Sequence, residues 1–492
     1  MLDRVIEQTN EYIEKMPKQL RKQYGQFFTS KETAIYMAKM FNIPEKEELY
    51  ILDPGAGTGI LSCALIEELE RKGTVATVHL TCYENDEQVL ELLRQNLELI
   101  QNEAGMAVEV TLLEENYIIS QEKIFNGIED IDKEQKYDMV IANPPYLKLS
   151  KNAKEAVCMK TICYGAPNMY FLFVAMSLCN LKEGSEMVYI IPRSWTSGAY
   201  FKKFREYLFS SGVLVQMHLF VSRDKVFDKE SVLQETMIMK VRKTSDRPER
   251  VKITSSNSND DYQHIETLEV LYNLVVAGDE RYVYLVTNEE ELGVLRRVNK
   301  LDGTLENAGV KMKTGLVVDF RNKEFLREKE IDNAVPLIYA QHIQNGLIRF
   351  PIQRENEYVV PGKRGLIQDN CNYLIVKRFT SKEEKRRLQS GIYLAENHER
   401  YSYISTQNKV NFITGITDKL SRCMVYGLYV VFNSTLYDKY YRILNGSTQV
   451  NSTEINAMPM PDRESIQCMG RELMQEGDLS EKVCDRILEE YL

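Results

Sequence analysis

Leu49-Tyr50-Ile51-Leu52-Asp53-Pro54-Gly55-Ala56-Gly57-Thr58-Gly59 runs from a short apolar strand through three glycines into residues 60–70, which read as a helix. In that order, glycines let backbone N–H groups approach a ligand closely, as in nucleotide-binding α/β folds. A lone glycine loop is weak evidence, so its surroundings decide. A second strand, residues 78–83, ends at Glu84 after a helix-length interval. An acidic side chain at that tip suits both hydroxyls of a ribose. Its alternative role is to cap a helix beginning near Gln88.

Moving outward, a third strand over 108–113 leads to Glu114-Glu115-Asn116-Tyr117. A fourth, Tyr137-Asp138-Met139-Val140-Ile141-Ala142, runs into Asn143-Pro144-Pro145-Tyr146. That turn combines an amide acceptor, two prolines that fix the backbone, and a flat ring, a set suited to a planar amine. As a sequence it is also an ordinary strand-to-helix turn. An amphipathic helix over 168–181 follows, then a strand at 187–191, a helix at 200–209 and strands at 213–220 and 235–241, the last two joined by a charged loop containing Phe227. Upstream, residues 1–20 read as a polar helix. Gln23-Tyr24-Gly25-Gln26-Phe27-Phe28-Thr29-Ser30 is an aromatic loop whose Thr29 or Ser30 can cap a helix running to Phe41. Strand and helix alternate throughout, which predicts a doubly wound, mostly parallel α/β domain over residues 1–242.

The polar stretch 243–262 is expected to be a linker, and residues 263–492 a second, α+β domain. Its short strands are expected at 282–286, 315–320, 337–340, 373–376 and 427–432, with no internal repeat. Residues 376–389 carry Lys377, Arg378, Lys382, Lys385, Arg386 and Arg387 against Glu383 and Glu384, a local charge of +4. Arg321, Gln407 and Lys409 lie in nearby segments. This mixture suits phosphate contacts with base-edge reading, and a solvated helix face is the alternative. The whole chain carries −10 across 492 residues, so contact with nucleic acid is a matter of local patches. From Asp462 onward nine acidic and four basic residues predict a solvated helical tail. Nine cysteines without a Cys-x-x-Cys pair, and five scattered histidines, predict a reduced, cytoplasmic protein without bound metal. No apolar segment has the length of a membrane span.

Gly-Gln-Phe-Phe-Thr-Ser (25–30), Asp-Pro-Gly-Ala-Gly-Thr-Gly (53–59) and Asn-Pro-Pro-Tyr (143–146), in this order, resemble the gamma-class adenine-specific DNA methyltransferases of bacterial restriction–modification systems. The specific motifs cover about half the chain; the second half is similar more loosely. The resemblance implies a Rossmann-like S-adenosylmethionine-dependent methyltransferase domain followed by a target-recognition domain. Tyr24, Gln26, Phe27 and Thr29, with Asp53, Pro54, Gly55, Ala56 and Gly57, would surround the methionine part of S-adenosylmethionine. Glu84 would hold its ribose, and Asn85, Asn116 and Tyr117 its adenine, with Asn143 also at the cofactor. The family usually has aspartate where Asn116 stands.

Asn143, Pro144, Pro145 and Tyr146 would carry catalysis on a base flipped from duplex DNA, held between Tyr146 and Phe227. Arg321, Lys377, Arg378, Lys382, Lys385, Arg386, Arg387 and Lys409 would contact DNA. The implied protein is a monomer that methylates without cutting, either solitary or paired with a separately encoded restriction endonuclease. Competing readings are a protein-glutamine or RNA-base methyltransferase, an inactive DNA-binding specificity protein, and a fused restriction and modification enzyme.

Overall fold

β1 (Glu48–Pro54) pairs in parallel with β2 (Thr77–Tyr83) on one side and β4 (Tyr137–Ala142) on the other. β3 (Ala107–Leu113) extends the sheet beyond β2, and β5 (Leu181–Pro192) extends it beyond β4, both in parallel. Past β5 the sheet turns mixed. β7 (Thr236–Arg242) lies antiparallel between β5 and β6 (Val213–Phe220), and β8 (Arg250–Ser256) and β9 (Glu266–Leu271) complete the order β3-β2-β1-β4-β5-β7-β6-β8-β9. The computed structural model describes residues 1–15, 28–128, 136–221, 236–259, 261–362, 365–381, 384–445 and 448–492. They divide into two compact units, Met1–Asn288 and Glu289–Leu492.

Every residue of β4 is buried, as expected of a central parallel strand covered on both faces. Its one charge, Asp138, accepts from Lys46 at 2.5 Å, Lys182 at 2.8 Å and the Tyr50 N–H at 3.0 Å. Burial raises the pKa of this carboxyl, but the two lysines and the backbone donor outweigh it and the net shift is downward. The direction of chain connection reverses between β1 and β4. Ligands of open α/β sheets bind at the carboxyl ends of strands at such a switch point. The helix Met169–Asn180, expected to be amphipathic, is buried on every side except at Cys179.

The expected linker is instead part of the first unit. β8 escapes a sequence reading because its polar side chains Thr254, Ser255 and Ser256 are buried. Two of them are satisfied by a histidine: His218 Nδ1 lies 3.0 Å from Thr254 Oγ1 and Nε2 lies 3.1 Å from Ser256 Oγ. Burial drives His218 down to about 3. The folded chain therefore resists a proton that the unfolded chain takes up near pH 6.5. The stabilisation is complete above that pH and falls as pH drops toward 3, by at most about 1.4 kcal/mol per pH unit. Urea midpoints of the wild type between pH 7 and 4.5 should fall more steeply than those of His218→Gln; parallel profiles would remove His218 as the source.

In the second unit, a six-stranded sheet draws strands from distant parts of the chain: Val310–Thr314, Val410–Gly415, Tyr373–Lys377, Ser390–Tyr393, Leu347–Ile348 and Ile343–Gln344, in spatial order. Residues 427–432, expected as a strand, belong to the helix Arg422–Asn433, whose N-cap Ser421 accepts from the Met424 N–H. This helix packs on Arg463–Glu476 at two glycines. A Cβ on Gly427 would overlap the Ile466 carbonyl, and one on Gly470 the Cys423 carbonyl. Among the described residues no helix is long and apolar enough to cross a membrane.

Candidate active site

The loop after β1 makes its turns at Gly55, Gly57 and Gly59, all with positive φ (72°, 58° and 81°). The Gly55 and Ala56 N–H groups donate to the Tyr83 carbonyl at the end of β2, at 2.8 and 2.9 Å. The Gly57 N–H reaches one step further, to Glu84 Oε2 at 3.0 Å. Glu84 Oε1 also accepts the N–H groups of Asn85 and Asp86. Asp86, not Glu84, caps the helix Glu87–Glu103. Burial raises the Glu84 pKa against the opposing pull of these three backbone donors. A carboxylate keeps further lone pairs for hydroxyl donors.

Asp53, at the end of β1, accepts from Ser62 Oγ at 2.7 Å. Its Oδ1 is buried without a hydrogen-bond partner among the described residues, and burial lifts this carboxyl to about 7.

A cavity opens over this loop, walled by Gly55 to Thr58, by Glu84 and Asn85, and by Tyr83, Tyr117 and Phe173. Asn143 and Pro145 from the turn after β4 close it, beside Phe28 and Thr29. The Asn143 amide is oriented by donating from Nδ2 to Thr29 Oγ1 at 3.1 Å. Tyr146 is anchored by its hydroxyl, which donates to the Ile190 carbonyl on β5 at 3.0 Å. Its ring meets Tyr170 edge-on at 6.4 Å. Residues 28–29, 55–58 and 143–145 thus meet at the sheet's switch point.

Of the residues expected at the cofactor, Thr29, Gly55, Ala56, Gly57, Glu84, Asn85, Tyr117 and Asn143 line this cavity, while Asp53 and Pro54 lie beneath it. Asn116 does not line it. Its Oδ1 caps the one-turn helix Tyr117–Ser120 by accepting from Ile118 and Ile119, and its Nδ2 donates to Glu155. The expected acceptor is committed to the backbone, and Glu115 faces the cavity in its stead. Tyr24, Gln26, Phe27 and Phe227 lie outside the described residues, as does Lys382. Sequence reasoning missed Phe173, which lies inside an apolar helix and reads as plain core. A Cβ on Gly55 would come within 3.3 Å of its ring, so the glycine and the phenylalanine are fitted to one another.

The basic cluster of the second unit separates into two kinds of residue. Arg387 is fully buried, donating to Thr380 Oγ1 and Asn445 Oδ1, and its backbone N–H goes to Asp438. Arg386 pairs with Glu481 at 2.9 Å and donates to the carbonyls of Phe432 and Ser434. Both hold the unit together, so neither serves as the expected phosphate contact. Lys377 pairs with Glu384, and half-buried Arg378 donates to the Asn408 carbonyl. Arg321, Lys385 and Lys409 are exposed. Among its described residues the segment holds no helix: it leaves the strand Tyr373–Lys377 and returns at Ser390–Tyr393.

Residues 66–227 match the model of the Eco57I restriction-modification methylase family. The type II methyltransferase M.PstI of Providencia stuartii is 33% identical over 503 aligned positions, covering 100% of this chain and 97% of its own. The type II methyltransferase M.BsuBI of Bacillus subtilis is 32% identical, covering 96% and 94%. Among solved structures, a nuclease-deletion mutant of the type ISP restriction-modification enzyme LlaGI with a DNA substrate mimic aligns at a TM-score of 0.48 and 12% identity, over 92% of this chain and 54% of that one.

Proposed function

The chain belongs to the type II methyltransferases of restriction–modification systems, and from that membership we propose that it methylates the 6-amino group of an adenine flipped out of duplex DNA. The methyl donor is S-adenosylmethionine, which supplies a methyl group on a positively charged sulfur. The cavity over the glycine loop fits that donor. Gly57 leaves room for close approach of a ligand to the backbone, Glu84 offers carboxylate oxygens to hydroxyls, and Tyr83, Tyr117 and Phe173 give flat apolar walls to a heterocycle.

The observation that carries the acceptor reading is the position of Asn143. It stands at the carboxyl end of β4, in the same cavity wall as the glycine loop, with its amide oriented by Thr29. The lone pair of an adenine 6-amino group is delocalised into the ring. The Asn143 side-chain oxygen and the Pro144 carbonyl, accepting hydrogen bonds from its two N–H groups, would favour a tetrahedral nitrogen whose lone pair is free to meet the methyl group. The step would be a direct displacement in which the nitrogen–methyl bond forms as the sulfur–methyl bond breaks, S-adenosylhomocysteine leaves and one N–H proton is lost to water, helped by positioning and preorganised dipoles. A ring buried in a duplex is out of reach, so the base leaves the stack, and Tyr146 supplies a face on which it stacks again. The protein then acts as a monomeric modification enzyme, with the matching endonuclease encoded separately.

Tritiated methyl from S-adenosylmethionine should appear in duplex DNA and, after digestion to nucleosides, in N6-methyldeoxyadenosine. Label recovered in a cytosine derivative, in RNA or in protein would overturn the assignment.

A further inference from the structure

A second cavity lies within the second unit, walled by Asp319, Tyr339, Arg354, Phe379, Gln407 and Lys409. Arg354 lies over the Tyr339 ring, its guanidinium carbon 3.4 Å from the centroid. Its Nη1 is buried and has no hydrogen-bond partner among the described residues. Asp319 is set in a complementary way. Its Oδ2 accepts from Gln407 Nε2 at 3.1 Å, and its Oδ1 is buried with no hydrogen-bond partner among the described residues. Gln407 is 2% exposed, and its side-chain Oε1 accepts the Lys409 N–H at 2.8 Å, so the carboxylate is held by a fixed amide.

A buried donor and a buried acceptor thus line one cavity without forming an ion pair. Folding gains nothing from leaving both unsatisfied, whereas a ligand presenting an acceptor beside a donor satisfies both.

We propose that this cavity reads the major-groove edge of one G·C base pair in the target DNA, a proposal that rests on duplex DNA being the substrate. The Arg354 guanidinium donates to guanine O6 and N7, and Asp319 accepts from the 4-amino group of the paired cytosine. A phosphate is the poorer occupant, because it would bring an anion against Asp319. The surroundings agree with a base edge. Phe379 is 40% exposed at the cavity and Phe320, next to Asp319, is 70% exposed, which places aromatic surface where bases and sugars pass. Arg321 and Lys409 are exposed nearby in sequence and suit the flanking phosphates. The Tyr339 ring beneath it holds the guanidinium in place before any DNA arrives, which favours bidentate contact.

The test is methylation of a randomised duplex library by the full-length protein, read by single-molecule sequencing. The wild type should define a motif containing a G·C pair. Arg354→Lys keeps the charge and loses the fork, so discrimination at one G·C position should fall by about tenfold to a hundredfold while other positions stay as they were. An equal loss at all sequences, unchanged discrimination, or a motif without a G·C pair would overturn the assignment. Should the variant melt early, the wild type is tested on duplexes carrying 7-deazaguanine at each guanine in turn. Weaker methylation at one position supports the contact, and none at any position refutes it. A wild type that methylates no duplex refutes the substrate reading, and this one with it.

Discussion

Asn143→Ala is expected to lower the single-turnover rate of methyl transfer by about a hundredfold to a thousandfold, while the dissociation constant for S-adenosylmethionine changes by no more than about fivefold. The two effects separate because the glycine loop, Glu84 and the aromatic walls remain in place when the amide is removed. On the proposed mechanism the loss falls on the step in which the acceptor nitrogen becomes tetrahedral, where a preorganised oxygen is worth more than in water. Residual activity reflects the Pro144 carbonyl and the alignment of the two substrates. Rapid-quench kinetics with calorimetric cofactor binding read both quantities. Full activity in the variant would remove Asn143 from the mechanism, and loss of cofactor binding would make it a binding residue.

Gly427→Ala should destabilise the second unit by roughly 2 to 3 kcal/mol, although helix propensity alone argues for a gain of about 1 kcal/mol. Packing decides the sign. The new Cβ would overlap the Ile466 carbonyl, and neither helix backbone can yield without losing its own hydrogen bonds. Gly293 supplies the control: it lies in the helix Glu289–Val298 with nothing within 4 Å of its would-be Cβ. Gly293→Ala should therefore stabilise. Urea midpoints moving in opposite directions for the two variants would bear this out, and midpoints moving together would refute it.

The same glycine shows where sequence reading runs out. Gly427-Leu428-Tyr429-Val430-Val431-Phe432 looks like a strand because glycine and β-branched residues disfavour helices in isolation. Here the glycine is needed for helices to cross closely, a tertiary demand with no local signature. The first unit is different. β4 is a continuous buried run and β1 a mostly apolar one, and the loops after β1, β2 and β4 carry glycines, an acid and an amide that stand out in the sequence, so Gly55, Gly57, Glu84 and Asn143 are legible together. What escaped depends on partners distant in sequence: β8, whose polar residues are satisfied by His218; Asn116, whose oxygen is taken by two backbone donors; and Arg387, a cation in a basic run that packs inward.

Asp138, in β4, ties that strand to two lysines and to the neighbouring strand β1, a few residues from the turn that carries Asn143. Mechanically, this makes β4 a beam clamped at its root, with two prolines stiffening its free end. A load applied at that tip is carried back into the sheet. The Asn143 amide is therefore aimed by the scaffold, and any ligand at this turn must fit itself to that fixed direction.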